Sequence, residues 1–133
     1  MKKNGFTLIE LIITLSIIAL LSTLIIPNMG NIQNKAKETS LKNTCHTIQV
    51  ALESYYLSNN SYPEGSSAHI SAIIDILTTS NDLNQTPKNP YTKSEFNSSD
   101  TAGLIYYTYD NELYTITGYG ADTETAITTI TGP

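Results

Sequence analysis

FTLIELIITLSIIALLSTLII, residues 6–26, is the longest apolar stretch of the chain, and Glu10 is its only charged residue. At about 1.5 Å per residue, a helix over these 21 residues is roughly 30 Å long, which matches the hydrocarbon thickness of a bilayer. Lys2 and Lys3 precede the stretch, so the positive-inside rule places the N-terminus in the cytoplasm. The sequence therefore predicts a transmembrane helix over residues 6–26, with the rest of the chain outside the cytoplasm.

The acid inside this stretch needs a partner. A carboxylate in lipid costs at least a few kcal/mol unless it is paired or protonated. The stretch contains no Lys, Arg or His. The partner of Glu10 is then either water at the interface or a cation from elsewhere, while snorkelling or protonation of Glu10 is the alternative that needs no partner.

Residues 5–10, Gly-Phe-Thr-Leu-Ile-Glu, resemble the processing and assembly signal of type IV pilins and the related pseudopilins. In that family the prepilin peptidase, a membrane aspartyl protease, cuts after the glycine and methylates the new N-terminus. The resemblance implies a leader of residues 1–5, cleavage between Gly5 and Phe6, and N-methylation of Phe6. The acid that the family uses in assembly falls on Glu10.

Cleavage would also supply the missing cation. The new α-amine of Phe6 has a reference pKa of about 8, so it is largely cationic at neutral pH. The resemblance implies that Glu10 of one subunit pairs with the Phe6 amine of a neighbour. Pairing within one chain is the alternative, because Phe6 and Glu10 lie one helical turn apart.

The resemblance also implies partners and a location. It predicts a homopolymer held together through N-terminal helices and assembled by an inner-membrane platform with an ATPase motor. The precursor would reside in the inner (cytoplasmic) membrane with its C-terminal head outside the cytoplasm. The assembled form would be a cell-surface filament or a periplasmic pseudopilus.

A second, amphipathic half of the helix is predicted over residues 27–58. Pro27 matches the proline that often ends the membrane segment in the family, and it is expected to loosen the helix without ending it. Beyond it, apolar residues recur at three- to five-residue steps. The turn-forming residues that start at Asn59 end the helix and begin a globular head over residues 59–133.

The head is predicted to combine a short helix over residues 68–77 with an antiparallel sheet. Tyr-, Ile- and Thr-rich segments predict three strands, at residues 104–109, 113–117 and 126–131. Alternation along the first strand places Tyr107 and Tyr109 on one face and Tyr106 on the other. The sequence thus predicts an α+β, pilin-like fold in which a long N-terminal helix packs against a small C-terminal sheet.

The polar segment at residues 81–99 is predicted to be a loop, and its part at 87–91, Pro-Lys-Asn-Pro-Tyr, resembles a proline-bounded turn of major pseudopilins. Residues 120–122, Gly-Ala-Asp, resemble the calcium loop of the same proteins. Asp122, Glu124 and Asp110 would then supply oxygen ligands to Ca²⁺. The glycines that usually follow the aspartate are absent, and an ordinary solvated acidic turn is the alternative.

Other functions find little support in the composition. The formal charge is −5, and it falls to −7 when Lys2 and Lys3 leave with the leader, so no nucleic-acid site is expected. Cys45 is the only cysteine and can form no disulfide within the chain. No catalytic constellation is visible, and neither His46 nor His69 stands in a metal-ligand spacing, which predicts a protein that is not an enzyme.

Three functions remain open on the sequence. The first is a structural subunit of a type IV pilus-like filament. The second is a major pseudopilin of a type II secretion or competence system. The third, from another class, is a membrane-anchored binding domain that never polymerises.

Overall fold

The computed structural model describes residues 5–25, 29–65 and 68–133. The chain divides into two compact units, Met1–Asn34 and Lys35–Pro133. Helix α1 spans Leu8–Ile25 and helix α2 spans Met29–Asn59. The predicted effect of Pro27 on the helix, and its predicted continuity there, fall outside the described residues.

The head contains helix α3, Ile70–Thr79, and an antiparallel sheet of four strands in the order β1-β2-β3-β4. The strands are β1 Ala68–His69, β2 Ile105–Asp110, β3 Leu113–Tyr119 and β4 Ala126–Gly132. The order of an N-terminal helix followed by a small antiparallel sheet confirms the predicted α+β, pilin-like arrangement.

The prediction of three strands was one strand short. Strand β1 has two residues, Ala68 and His69, which pair with Tyr107 and Tyr106 of β2. A two-residue strand is too short to show an alternating pattern. It therefore lay hidden in the segment that was predicted to begin the short helix, and that helix starts at Ile70 instead.

One apolar stripe of α2 packs into the hydrophobic core. Its fully or almost fully buried residues are Leu41, Cys45, Ile48, Ala51 and Leu52. The sheet packs its own apolar face on the same core through Tyr107, Tyr114 and Ile116, all of which are fully buried. Tyr109 packs partly on this core and Tyr106 is 38% exposed, so the predicted alternation of the β2 tyrosines is confirmed.

Burial also determines the chemistry of the cysteine. Cys45 is fully buried in this stripe, where its sulfur lies under Gly118 of β3. Loss of solvent disfavours the thiolate and raises the pKa of Cys45 to about 12. The side chain therefore acts as a small apolar group of the core.

A buried amide organises the loop between α3 and β2. Asn89 is fully buried, and its Nδ2 donates hydrogen bonds of 2.9 Å to Asp100 Oδ2 and to the Ala102 carbonyl oxygen. Its Oδ1 accepts a 2.9 Å hydrogen bond from the Tyr91 backbone N–H, and its own N–H donates to the Ser94 carbonyl at 2.8 Å. One side chain thus ties the middle of the loop to its C-terminal part, a role that the surrounding prolines did not reveal.

The N-terminus of α3 is capped by a histidine. His69 Nδ1 accepts a hydrogen bond from the Ser71 backbone N–H at 3.3 Å, so this nitrogen carries no proton. Its Nε2 is buried without a hydrogen-bond partner in the described part of the chain. Loss of solvent lowers the pKa of His69, although the charge of Asp100 opposes the shift.

Titration of this cap predicts that the stability of the folded protein depends on pH. Because the pKa of His69 is lower in the folded chain, the unfolded chain binds the proton first as pH falls below about 6.5, the reference value. The cap should stabilise the fold fully above that pH. As the pH falls through the weakly acidic range, the melting temperature should fall by a few degrees, which is the usual contribution of a helix cap.

Melting curves of the wild-type protein and of His69→Asn between neutral pH and pH 5 check this. Asparagine caps a helix without titrating, so the variant should lose less stability than the wild type over this range. His46→Asn, at an exposed site on α2, is the matched control and should behave like the wild type. Equal pH slopes for all three proteins would contradict the role of His69.

Candidate assembly site

The surface of α1 is apolar on all sides and uncovered. Phe6 is 80% exposed, and the large apolar side chains of α1 lie between 51% exposed at Leu21 and 75% at Leu8. Apolar surface on this scale is unfavourable in water, and soluble monomers rarely leave so much of it exposed. Lipid or other helices must therefore cover α1.

Glu10 lies at the start of α1 in a reciprocal hydrogen-bonded cap. Its Oε2 accepts hydrogen bonds from the Thr7 backbone N–H at 2.9 Å and from the Thr7 hydroxyl at 2.7 Å. In return, the Glu10 backbone N–H donates to Thr7 Oγ1 at 3.3 Å. This is the capping box, in which a threonine and the glutamate three residues later satisfy free N–H groups of the helix start.

The cap supplies a partner for Glu10 that the sequence analysis overlooked. Water, a foreign cation and the Phe6 amine were considered, whereas the Thr-x-x-Glu signature at residues 7–10 was not. Two hydrogen bonds to one oxygen hold the carboxylate one turn from Phe6 and reduce its cost at the membrane surface. Pairing of Glu10 with the Phe6 amine stays a prediction.

The bond between Gly5 and Phe6 lies on the surface. Both residues are exposed, and a side chain built on Gly5 would meet no atom within 4 Å. A protease can therefore reach this bond, and a bulky residue at position 5 would not disturb the fold. Residues 1–4, the rest of the predicted leader, fall outside the described residues, as does Pro27.

The three acids predicted to bind Ca²⁺ do not come together. Asp110 is the last residue of β2 and pairs with Leu113 at the start of β3, while Asp122 and Glu124 lie in the β3–β4 turn at the other end of β3. The two turns are about 20 Å apart, because β3 has seven residues at about 3.3 Å each. Including Asp110 among the ligands was therefore wrong, because the turns of successive hairpins lie at opposite ends of the shared strand.

The remaining two acids do not complete a calcium site by themselves. Among the described residues, no group of three or more His, Cys, Asp and Glu side chains could hold a metal ion. Asp122 Oδ1 accepts a hydrogen bond from the Thr125 N–H at 3.1 Å, which is the contact of an ordinary turn. Backbone carbonyls would have to supply most of the six to eight oxygens that Ca²⁺ takes.

Calcium binding at the β3–β4 turn stays a prediction from the resemblance. If the ion binds there, millimolar calcium should raise the melting temperature of the wild type and leave that of Asp122→Asn unchanged. Asparagine keeps the acceptor for Thr125, so the turn itself survives the substitution. If neither calcium nor a chelator changes the melting temperature of the wild type, the turn is an ordinary solvated one.

Helix α1 has 18 residues and is about 27 Å long. No single described helix is long and apolar enough to cross a membrane by itself. Leu8–Leu24 and Met29–Asn59 pass together as a broken span, by length and composition only.

Both parts of the chain match known protein families. Residues 1–26 match the family described as prokaryotic N-terminal methylation motif, and residues 28–129 match the family described as type II secretion system (T2SS), protein G. No solved structure matches the chain.

Curated relatives come from both secretion systems and pili. Type II secretion system core protein G of Escherichia coli is 34% identical over 62 residues, which are 47% of this chain and 43% of that protein. The type IV wide pilus major component of Thermus thermophilus is 39% identical over 70 residues, 53% of each chain. The type IV major pilin of Myxococcus xanthus is 32% identical over 63 residues, 47% of this chain and 29% of the pilin.

These matches span about half of the length of the relatives or less. The family match is broader, because residues 28–129 make up most of the 133-residue chain and residues 1–26 carry the methylation motif in front of them. The chain therefore belongs to the family of type II secretion system protein G, among the proteins that carry a prepilin-like N-terminus.

Proposed function

We propose that the protein is a structural, non-catalytic subunit of a type IV pilus-like filament. The observation that carries the proposal is the uncovered apolar surface of α1, with an exposed Gly5–Phe6 bond and the Glu10 carboxylate at its start. A helix of this kind can be stored in a membrane and later covered by identical helices. Relatives named as pilus components and secretion core proteins support the same role.

Assembly would proceed from the membrane. The precursor resides in the cytoplasmic membrane with its head outside the cytoplasm, and prepilin peptidase releases the leader and methylates Phe6. The Phe6 amine then competes with Thr7 for the Glu10 carboxylate. A charged amine forms the stronger hydrogen bond, so an incoming subunit can exchange its internal cap for a neighbour's amine.

Apolar contact alone does not drive this step, since lipid tails are as apolar as the side chains of α1. Close packing of helices and the pairing of Glu10 must supply the preference for the filament over the membrane. An inner-membrane platform with an ATPase motor would provide the work of lifting each subunit out of the lipid.

A pseudopilus is the second candidate. The match of residues 28–129 to the protein G family favours it, because this part of the chain contains α2 and most of the head. In that case the same subunit would build a short periplasmic filament for secretion or DNA uptake. The matches to pilus components of two organisms favour the surface pilus.

One experiment separates these functions. Cells are sheared, the high-mass extracellular fraction is collected, and the N-terminus of the protein is determined by mass spectrometry. Methylated Phe6 in extracellular filaments establishes a pilus subunit, and the same N-terminus found only in the membrane fraction favours a pseudopilin. An intact leader on all of the protein contradicts filament assembly and favours a membrane-anchored binding domain.

The control is Gly5→Trp. Because a side chain at position 5 meets no atom of the fold, this variant should remain folded while the peptidase no longer accepts it. It should accumulate as a precursor that is heavier than the processed protein by the leader, and it should be missing from the sheared fraction. Processing of Gly5→Trp at the wild-type rate would contradict the assigned cleavage site.

A further inference from the structure

A pocket of about 710 Å³ opens where α2 ends beside the β2–β3 turn. Its walls are aromatic and acidic, and the residues that matter here are Glu53, Tyr56, Leu57, Tyr62, Tyr109 and Glu112. The rings of Tyr56 and Tyr62 are stacked with centroids 4.7 Å apart, and Tyr109 lies 6.0 Å from Tyr62 in a tilted arrangement. We call this the tyrosine pocket.

The carboxylate of Glu53 is fixed in the wall of the tyrosine pocket. It accepts a 2.9 Å hydrogen bond from the Tyr62 hydroxyl and another from the Tyr114 hydroxyl. Loss of solvent, and after it the neighbouring carboxylate of Glu53, raises the pKa of Tyr62 to about 12, so this phenol remains a donor. Phenols orient the carboxylate of Glu53 but leave its negative charge without a counter-charge.

The composition of the pocket suits an alkylammonium group. Tyrosine faces and carboxylates both attract a cation, and the attraction strengthens as water is displaced. Leu57, which is 86% exposed, offers apolar surface at the mouth for the methylene stem of such a group. A lysine side chain has this combination of stem and charge.

None of the lysines that the structure describes reaches the pocket. Among the described residues that line it there is no basic side chain. Lys35, Lys37 and Lys42 lie in the first half of α2, and Lys37 already stacks on the ring of Tyr91. The lysines of α2 thus lie at one end of the helix, and the tyrosine pocket lies at the other.

The helix nevertheless aligns the two ends on one face. Lys42 and Glu53 are eleven residues apart, which is close to three full turns, so both side chains leave α2 in nearly the same direction. The same spacing separates them by about 16 Å along the axis, farther than a lysine side chain extends. A second copy that is shifted along the axis would bring its Lys42 to the tyrosine pocket of the first.

We propose that the tyrosine pocket receives the Lys42 side chain of a second copy of this chain. The surfaces that meet are different, so the contact is head-to-tail, and a contact of this type repeats into an open helical filament. This inference rests on the proposed filament function and adds a specific contact between heads, apart from the packing of α1.

Zero-length cross-linking of wild-type filaments tests the contact. A carbodiimide joins an amine to a carboxylate only when the two touch, and digestion followed by mass spectrometry identifies the linked residues. We expect a cross-link between Lys42 and Glu53 or Glu112. The separation of about 16 Å within one chain excludes an intrachain product for the Glu53 link.

Variants provide a second measurement. Lys42→Glu should lower the amount of sheared filament several-fold, because it places a carboxylate at an acidic pocket. Lys93→Glu is the matched control, since Lys93 is an exposed lysine that lies outside α2, and it should assemble like the wild type.

The outcomes separate this inference from the proposed function. Filaments in which Lys42 links only to carboxylates outside the pocket, or to none, would overturn the contact and leave the filament function standing. Equal filament amounts for Lys42→Glu and Lys93→Glu would do the same. Absence of filaments from wild-type cells would instead remove the proposed function, and the contact with it.

Discussion

Glu10→Ala is expected to be cleaved after Gly5 and methylated like the wild type but to be absent from filaments. The substitution removes the only charge of the apolar stretch. In the proposed mechanism this charge is the partner of the Phe6 amine. A subunit without the carboxylate would leave its neighbour's amine unpaired among apolar helices, which costs several kcal/mol. The measurement is the ratio of processed protein in the sheared fraction to processed protein in the membrane.

Two further variants separate pairing from capping. Glu10→Gln keeps an oxygen that can accept from Thr7 but has no charge, whereas Thr7→Ala removes the hydroxyl of the cap and keeps the charge. If the charge matters, Glu10→Gln should assemble as poorly as Glu10→Ala, and Thr7→Ala should lose much less. Normal filaments from Glu10→Ala would rule out the pairing mechanism.

Asn89→Ala is expected to destabilise the head by roughly 2–4 kcal/mol, because it leaves several buried hydrogen-bonding groups without a partner at once. The carbonyl of Ala102, the carboxylate of Asp100 and the N–H of Tyr91 all lose the amide that joins them. In a domain of about a hundred residues this corresponds to a fall in melting temperature of about 10 °C or more. Thermal unfolding of the detergent-solubilised protein, followed by circular dichroism, gives the value.

Asn84→Ala is the matched control, since Asn84 is exposed in the same loop and its replacement should change stability by no more than about 0.5 kcal/mol. Gly103→Ala should resemble Asn89→Ala for a related reason. Gly103 has a φ of +68°, and a Cβ there would clash with Asn89 Oδ1. A head that tolerates Asn89→Ala as well as Asn84→Ala would mean that the loop is held by other contacts.

Periodicity and turn residues were enough to predict the order of elements. The alternation of Tyr106 and Tyr107 assigned the faces of β2 correctly, because one face of the strand is buried and the other is not. The three longer strands were found within two residues of their ends. The family signal at residues 5–10 predicts the assembly site, since it combines a processing motif with an acid whose burial in lipid is costly.

What the sequence did not reveal depends on contacts between distant residues. Asn89 appeared to be one more polar loop residue, and only the folded chain shows it fully buried between Asp100 and Ala102. Nothing in the sequence around Glu53 indicates that its carboxylate accepts hydrogen bonds from Tyr62 and Tyr114. The error over Asp110 has the same origin, because closeness in sequence says nothing about which end of a sheet a turn occupies.

The fully buried Cys45 has a consequence for where the protein can fold. It is the only cysteine, and a pKa of about 12 keeps its thiol protonated and unreactive at physiological pH. The head therefore gains nothing from an oxidising compartment and does not need an oxidase or a disulfide isomerase. It can reach the same stability in a reducing environment, and glutathione or peroxide in the surroundings should leave its core unchanged.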